Sequence, residues 1–403
     1  MTDPPEPAST AGAPASARPR RTELDVLRAL VVVGLVFFHA ALVFSPDDDF
    51  YVKNRDTTEV VTVVAGLGVV WAMPMLFLVA GLGAHYSIGR RGPGGFARER
   101  LLRLGVPLVL ATLTIVPVPQ WLRLRAADPG HDEPYGRFWL HFFDVRPDLG
   151  DFPFVLRGEH FETGHLWFVV LLLAFCLLLA PVAGPLARGA PRIGDAVTRR
   201  PGLLLLPALP LAAIDSLLGM EESYAGWNRW AYLVFFVHGH ALSGDDRIRA
   251  GTRRVAVPAG LLGLALFAAT APGFMSADDP FTDRTTLALV TRALFGAAGW
   301  AWVLAILGLL DRPRPRPHRR PPGRVLGYLA VAALPLYVLH QPVVVAFAYG
   351  VVGWPAPIGV KYAAIVAASL TVILLVYEYG VRRTRVTRFL FGMRGTPPST
   401  SVR

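Results

Sequence analysis

Apolar runs near the length of a bilayer crossing follow one another along the chain, separated by short polar segments. A helix needs about 20 residues to cross ~30 Å of hydrocarbon, and such runs recur from about residue 24 to about residue 380. The first, about Leu24 to Phe44, has no small-residue cleavage site behind it, so it predicts a retained helix rather than a signal peptide. Further crossings are predicted at about 60–85, 101–119, 165–186, 201–219, 227–242, 255–271, 286–310, 325–351 and 358–380. Each is near the ~17 to 25 residue window or slightly under it. The pattern predicts an all-α integral membrane protein, a bundle of about ten transmembrane helices. An even count places both termini on one side, and the charge pattern below makes that side cytoplasmic.

Composition points the same way, because 403 residues with 53% hydrophobic content, 17% charge and a mean hydropathy of +0.44 are too apolar for an ordinary soluble domain. One membrane domain, residues 22–381, is expected between two cytoplasmic tails. Residues 1–21 are rich in Pro, Ala, Ser and Thr and read as disordered, while 382–403 form a basic tail. The net charge of +11 could suggest nucleic acid, but the arginines flank apolar runs and no nucleic-acid-binding motif accompanies them. The single cysteine, Cys176, excludes an internal disulfide and reads as inert packing within an apolar run.

Basic residues concentrate in short cytoplasmic loops, and here they alternate by side. One side holds Arg18 to Arg21, Arg90 to Arg103, Arg188 to Arg200, Arg247 to Arg254, the Arg/Pro run from Arg312 to Arg324, and Arg382 to Arg388. The other carries acidic stretches: Asp47 to Asp49, Asp128 to Asp151, Glu221 and Glu222, and Asp278 to Asp283. A missed helix would scramble this alternation. The longest connection, about Trp121 to Gly164, falls on the extracytoplasmic side and interleaves charges with Trp139, Phe142, Phe143, Phe152, Phe154 and Phe161. It reads either as an aromatic platform for a carbohydrate-like acceptor or as a capping loop on the membrane surface.

Ionisable residues inside the hydrocarbon cost a few kcal/mol and usually mark function. Arg28 and His39 lie eleven positions apart on the first helix, which at ~100° per residue puts them on one face with an axial separation of ~16 Å. A guanidinium near the cytoplasmic face can pair with phosphate, and a neutral imidazole deeper in can take a proton from a hydroxyl. The alternative is that Arg28 snorkels to the interface and His39 hydrogen-bonds a neighbouring helix. Asp25 stands three residues before Arg28 and either orients it or is an exposed helix-start residue.

The stretch from Glu23 to Arg28, followed by His39, resembles the opening signature of the acyltransferase 3 family of integral membrane acyltransferases. Further segments agree in order: Met73 to Gly81, Phe96 to Arg103 leading into Pro107, Gly164 to Phe168, and Tyr337 to Pro342. The resemblance runs from about Thr22 to Gly380 and is strongest to the glucan biosynthesis protein C branch. It implies transfer of an acyl group, of acetyl or succinyl type, from cytosolic acyl-CoA to a hydroxyl of an extracytoplasmic carbohydrate or glycolipid. The enzyme would then be an acyltransferase transferring groups other than aminoacyl groups, in a bacterial cell membrane. His39 would be the essential histidine, and Arg28, Arg100 and Arg103 would match the family's basic positions.

The residues add their own reading. Arg100 and Arg103 are one turn apart at the cytosolic end of the third helix and can present guanidinium groups to CoA phosphates, or are ordinary positive-inside charge. His165 is placed to meet an acceptor at the outer face, whereas the neighbouring Trp167 fits the interfacial belt. His340 and Glu378, as buried polar residues, line a substrate path or cross-link helices. His238 and His240 point to different faces of the sixth helix without complementary ligands, so no metal is expected. Acyl-CoA enters as a co-substrate with no permanently bound cofactor. The expected partners are that donor, a glycan or lipid-linked sugar acceptor and membrane lipid. The rival class is a multi-helix solute transporter or flippase, with Arg28, Asp215, histidines and Glu378 along a solute path. No internal repeat supports it.

Overall fold

The computed structural model describes residues 22–46, 49–128, 130–276, 279–312 and 323–393. The expected disordered tail at 1–21 and the end of the basic tail at 394–403 lie outside the described residues. The helices in chain order are α1 (Thr22–Leu42), α2 (Glu59–Val69), α3 (Ala72–Arg100), α4 (Val106–Thr114), α5 (Pro117–Ala127) and α6 (Tyr135–Phe142). After a two-stranded hairpin come α7 (Trp167–Arg188), α8 (Ala190–Arg199), α9 (Ala208–Leu218), α10 (Arg229–Ala241) and α11 (Asp246–Ser276). The chain closes with α12 (Thr286–Leu310), α13 (Arg324–Val351), α14 (Ile358–Leu375) and α15 (Arg385–Leu390).

Among the described residues, eight helical stretches are long and apolar enough to cross a membrane. One of them, Glu59–Ala127, is 69 residues long and holds two of the expected crossings. The chain reverses inside it at Gly92, whose φ of 69° and ψ of 170° break the helix just before Pro93. Before the reversal Phe77 packs on Phe168 and Phe175 of α7, and after it Gly105 faces Leu173 of the same helix. With the short α10 added, ten elements among the described residues correspond to the expected runs. At 13 residues α10 is shorter than a crossing, yet it is held tightly against α3. A Cβ on Gly81 would strike the Phe236 carbonyl, and one on Gly239 would strike that of Leu78. Small residues at a helix crossing let two backbones approach closely in a membrane, where the hydrophobic effect does not hold helices together.

Both described ends of the chain reach the same end of the bundle. Arg103 Nε donates to the Gly392 carbonyl at 3.1 Å, Arg388 is buried, and Leu24 shares a cavity wall with Met393. Residues 382–393 therefore fold back onto the bundle through α15 rather than standing apart from it. At the opposite end, the long connection is built of α6 and the antiparallel strands β1 (Val145–Pro147) and β2 (Leu156–Gly158). Its rings serve mainly its own core, since Phe138 and Phe142 are fully buried. Arg229 of α10 clamps the hairpin, pairing with Glu221, with Asp151 at 2.5 Å, and lying over the Phe154 and Tyr224 rings. Phe143, Phe154 and Phe161 pack against the core as well, while Phe152 stays exposed.

Candidate active site

Arg28 leaves α1 toward α3. Its Nη1 donates to Asp25 Oδ1 at 3.2 Å, and its Nη2 to the Val79 carbonyl at 2.8 Å. Gly83 stands beside it, where an added Cβ would lie 3.4 Å from Nη2, in van der Waals contact. Here Arg28 joins the wall of a cavity of about 1620 Å³, larger than the ~300–1,000 Å³ of ordinary small-ligand sites. Eight arginines line it, Arg28, Arg90, Arg100, Arg103, Arg249, Arg324, Arg382 and Arg388, against the acidic residues Glu23, Asp25 and Asp246. They come from α1, both limbs around Gly92, α11, α13 and the C-terminal turn, segments that the sequence places on a single side of the membrane. Farther in, the lining becomes apolar: Val32, Leu76, Val79, Phe168, Leu172, Pro335 and Tyr337.

Tyr337, at this apolar end, packs on His340 with ring centroids 5.3 Å apart. His340 in turn packs on His39 at 5.0 Å and on His165 at 4.9 Å. Three histidines from α1, α13 and the turn entering α7 thus form one cluster inside the bundle. His39 is half-buried, between Phe38 and Phe50, with Phe50 stacked on it at 5.7 Å. His340 is fully buried and donates from Nδ1 to the Tyr337 carbonyl at 2.5 Å.

His165 is fixed from two sides. Its Nε2 donates to the Val338 carbonyl at 3.0 Å, while Nδ1 lies 3.0 Å from Gln341 Oε1, which also accepts the His165 backbone N–H at 2.9 Å. The Val338 carbonyl is free for this because its helical partner four residues on is Pro342, which has no N–H. The Tyr337 hydroxyl donates to the His165 carbonyl. Toward the outer face, Tyr51 donates to Glu162, with Gly164 packed beside the Tyr51 hydroxyl and Gln341. Burial pushes the Glu162 carboxyl above its ordinary value, with Tyr51 and Arg123 opposing the shift.

Other expected residues fall elsewhere or play lesser parts. Arg100 pairs with Glu99 at 3.5 Å and lies over Phe96, and Arg103 reaches Glu99 at 3.8 Å. Both line the cavity. Glu378 stands behind the wall, accepting from Arg382 at 2.8 Å and from the Tyr328 hydroxyl at 2.9 Å, so it braces two lining residues. Asp215 is buried in α9, accepting from the Asn228 backbone at 3.2 Å, and is not a lining residue. His238 packs on Trp300, and His240 lies beside His85, both apart from the cluster. Among the described residues no group of three or more His, Cys, Asp or Glu is arranged to hold a metal ion.

Sequence reasoning singles out His39, His165 and His340 separately but not their meeting, and it overlooks Gln341, Pro342 and Phe50 as their supports. The available signal was the run His340, Gln341, Pro342: a proline two residues after an intramembrane histidine frees a carbonyl for a cross-helix bond.

A basic chamber whose wall includes Tyr337, packed against a cluster of three histidines inside a helical bundle, fits the class of multi-pass membrane enzymes. The family model described as an acyltransferase domain matches residues 21–378, and the chain belongs to that family, acyltransferase 3. It is therefore a membrane acyltransferase, and the solute-path reading is set aside. No curated protein matches the chain. No solved structure matches it either.

Proposed function

We propose that the protein transfers a short acyl group, of acetyl or succinyl type, from acyl-CoA to a hydroxyl of an extracytoplasmic carbohydrate or glycolipid. The membrane would be a bacterial cell membrane, with the arginine-rich end facing the cytosol. The observation that carries the reading is the graded cavity, lined by eight arginines and by an apolar stretch that includes Tyr337, the ring packed on His340. CoA has the complementary form, with phosphates at one end and a thioester on a long arm at the other. Guanidinium groups suit phosphate because their forked donors match its oxygens. Likeness to the glucan biosynthesis protein C branch favours a periplasmic glucan as acceptor.

In the proposed reaction His39 takes the proton of the acceptor hydroxyl while its oxygen attacks the thioester carbonyl. The C–S bond breaks, and the proton passes to the thiolate, which leaves as CoA. The acceptor approaches from the face where Tyr51, Glu162 and the hairpin stand, and the polar cleft of about 790 Å³ between His141, Arg146, Arg157 and His160 offers donors and acceptors to sugar hydroxyls. The test is transfer of label from a panel of radiolabelled acyl-CoAs to extracytoplasmic glycan or lipid, comparing wild type with His39→Ala. Labelling is expected in wild type and lost by at least ~10²-fold in the variant, the usual weight of a general base. No labelling from any donor, or full labelling by His39→Ala, would sink the reading.

A further inference from the structure

Two buried nitrogens in the histidine cluster have no hydrogen-bond partner, His39 Nδ1 and His340 Nε2. Leaving such a group unpaired in the interior costs ~1–3 kcal/mol, so orphans on neighbouring rings call for an explanation. Their protonation follows from their surroundings. A carbonyl can only accept, so His340 Nδ1, bound to the Tyr337 carbonyl, carries the ring proton. Its Nε2 is then a bare acceptor without a donor. His165 cannot serve it, because both His165 nitrogens are turned to the Val338 and Gln341 oxygens. The remaining ring within reach is His39, at 5.0 Å between centroids. Imidazole nitrogens lie about 1 Å from the ring centre, so this spacing admits a bond after a small turn of the half-buried His39 ring.

We infer that His340 is the positioning residue of the catalytic His39, receiving its Nδ1–H on Nε2 and so presenting the Nε2 lone pair of His39 to the acceptor hydroxyl. The chain of fixation runs from the Tyr337 carbonyl through His340 to His39. It resembles in logic a carboxylate orienting a catalytic imidazole, with a neutral ring in place of the anion. As the His39 Nε2 takes the acceptor proton, the His340 lone pair stays opposite the new imidazolium. The proton then goes to the leaving thiolate, so His340 ends the cycle unchanged. The aromatic packing of His340 could be supplied by any ring; its lone pair could not.

This inference rests on His39 acting as base in the proposed transfer, and its test separates the two. Wild type, His39→Ala, His340→Phe and His340→Gln, as full-length detergent-purified proteins, are compared in the acyl-CoA assay, with kcat and KM measured separately. His340→Phe keeps the ring and is expected to lose kcat by ~10²-fold, with KM for acyl-CoA within about twofold of wild type; the unchanged KM shows that the cavity is folded. His340→Gln offers an amide oxygen and is expected to recover at least tenfold of that loss. Should His340→Phe fail to fold, the Gln variant decides with a His340→Leu control. Activity of His340→Phe or His340→Leu within threefold of wild type, or Gln no better than a folded apolar variant, overturns the positioning role and leaves the acyl-transfer reading intact. A wild type inactive with every donor overturns both.

Discussion

At residue scale, the site depends on a backbone oxygen that an ordinary helix would not release. Pro342 withholds an N–H from the Val338 carbonyl, and His165 takes its place at 3.0 Å. Pro342→Ala restores a competitor for that oxygen at the scale of one net hydrogen bond, about 1 kcal/mol. The expected result is a folded protein whose kcat falls about three- to tenfold with KM for acyl-CoA unchanged, measured by steady-state transfer kinetics. Unaltered kcat would show that the His165 bond to α13 contributes nothing to the chemistry. In the proposed reaction Arg28 acts at the donor end. Losing its guanidinium in Arg28→Ala should raise KM for acyl-CoA about tenfold or more, in line with a charge-assisted phosphate contact of ~1.5–3 kcal/mol. Both residues were visible as candidates because a charge or an imidazole inside an apolar run is conspicuous. Their partners were not, since Val79 and Gly83, which receive Arg28, look like any other apolar helix positions.

At the scale of elements, α10 shows how a helix too short to cross by itself becomes part of the bundle. Thirteen residues give ~20 Å of length, and the contact at Gly81 and Gly239 sets its approach to α3. Gly239→Ala forces a methyl group into the Leu78 backbone, a clash that neither helix can relieve by a rotamer change. The expected outcome is loss of ~1–3 kcal/mol or more, seen as a lower yield of monodisperse protein and a midpoint lowered by several degrees in a thermal-shift assay. A Gly239→Ala protein as stable as wild type would mean that α3 and α10 do not pack this closely. Two elements were only partly legible beforehand. The stretch from 59 to 127 reads as two crossings by hydropathy, and the structure places the reversal at Gly92, within the Gly/Pro run from Gly89 to Gly95. The loop from 121 to 164 reads as aromatic and ordered, but which rings face outward depends on packing between α6 and the hairpin, so Phe142 and Phe152 end in opposite environments.

At the scale of the whole molecule, arginines from segments far apart in the chain converge on a single chamber, so donor affinity should carry the mark of screened charge. Raising ionic strength from about 0.05 to 0.5 M shortens the screening length from roughly 14 Å to 4 Å. KM for acyl-CoA is expected to rise several-fold while kcat holds, and a donor lacking the 3′-phosphate should show a weaker salt dependence. A salt-independent KM would place the donor phosphates outside this chamber. Apolar period, run length and the alternation of arginine between loops were enough to determine the fold class, the approximate crossings, the shared side of the ends and Arg28 with His39 as candidates. These properties are local, because the bilayer acts on each segment independently through hydrophobicity and charge. The meeting of His39, His165 and His340, the closure of the arginine chamber and the pairing of α3 with α10 were decided only by the tertiary structure. They depend on contacts between residues as far apart as 301 positions, and such contacts are selected by side-chain shape and by free hydrogen-bonding groups that exist only once the helices have packed.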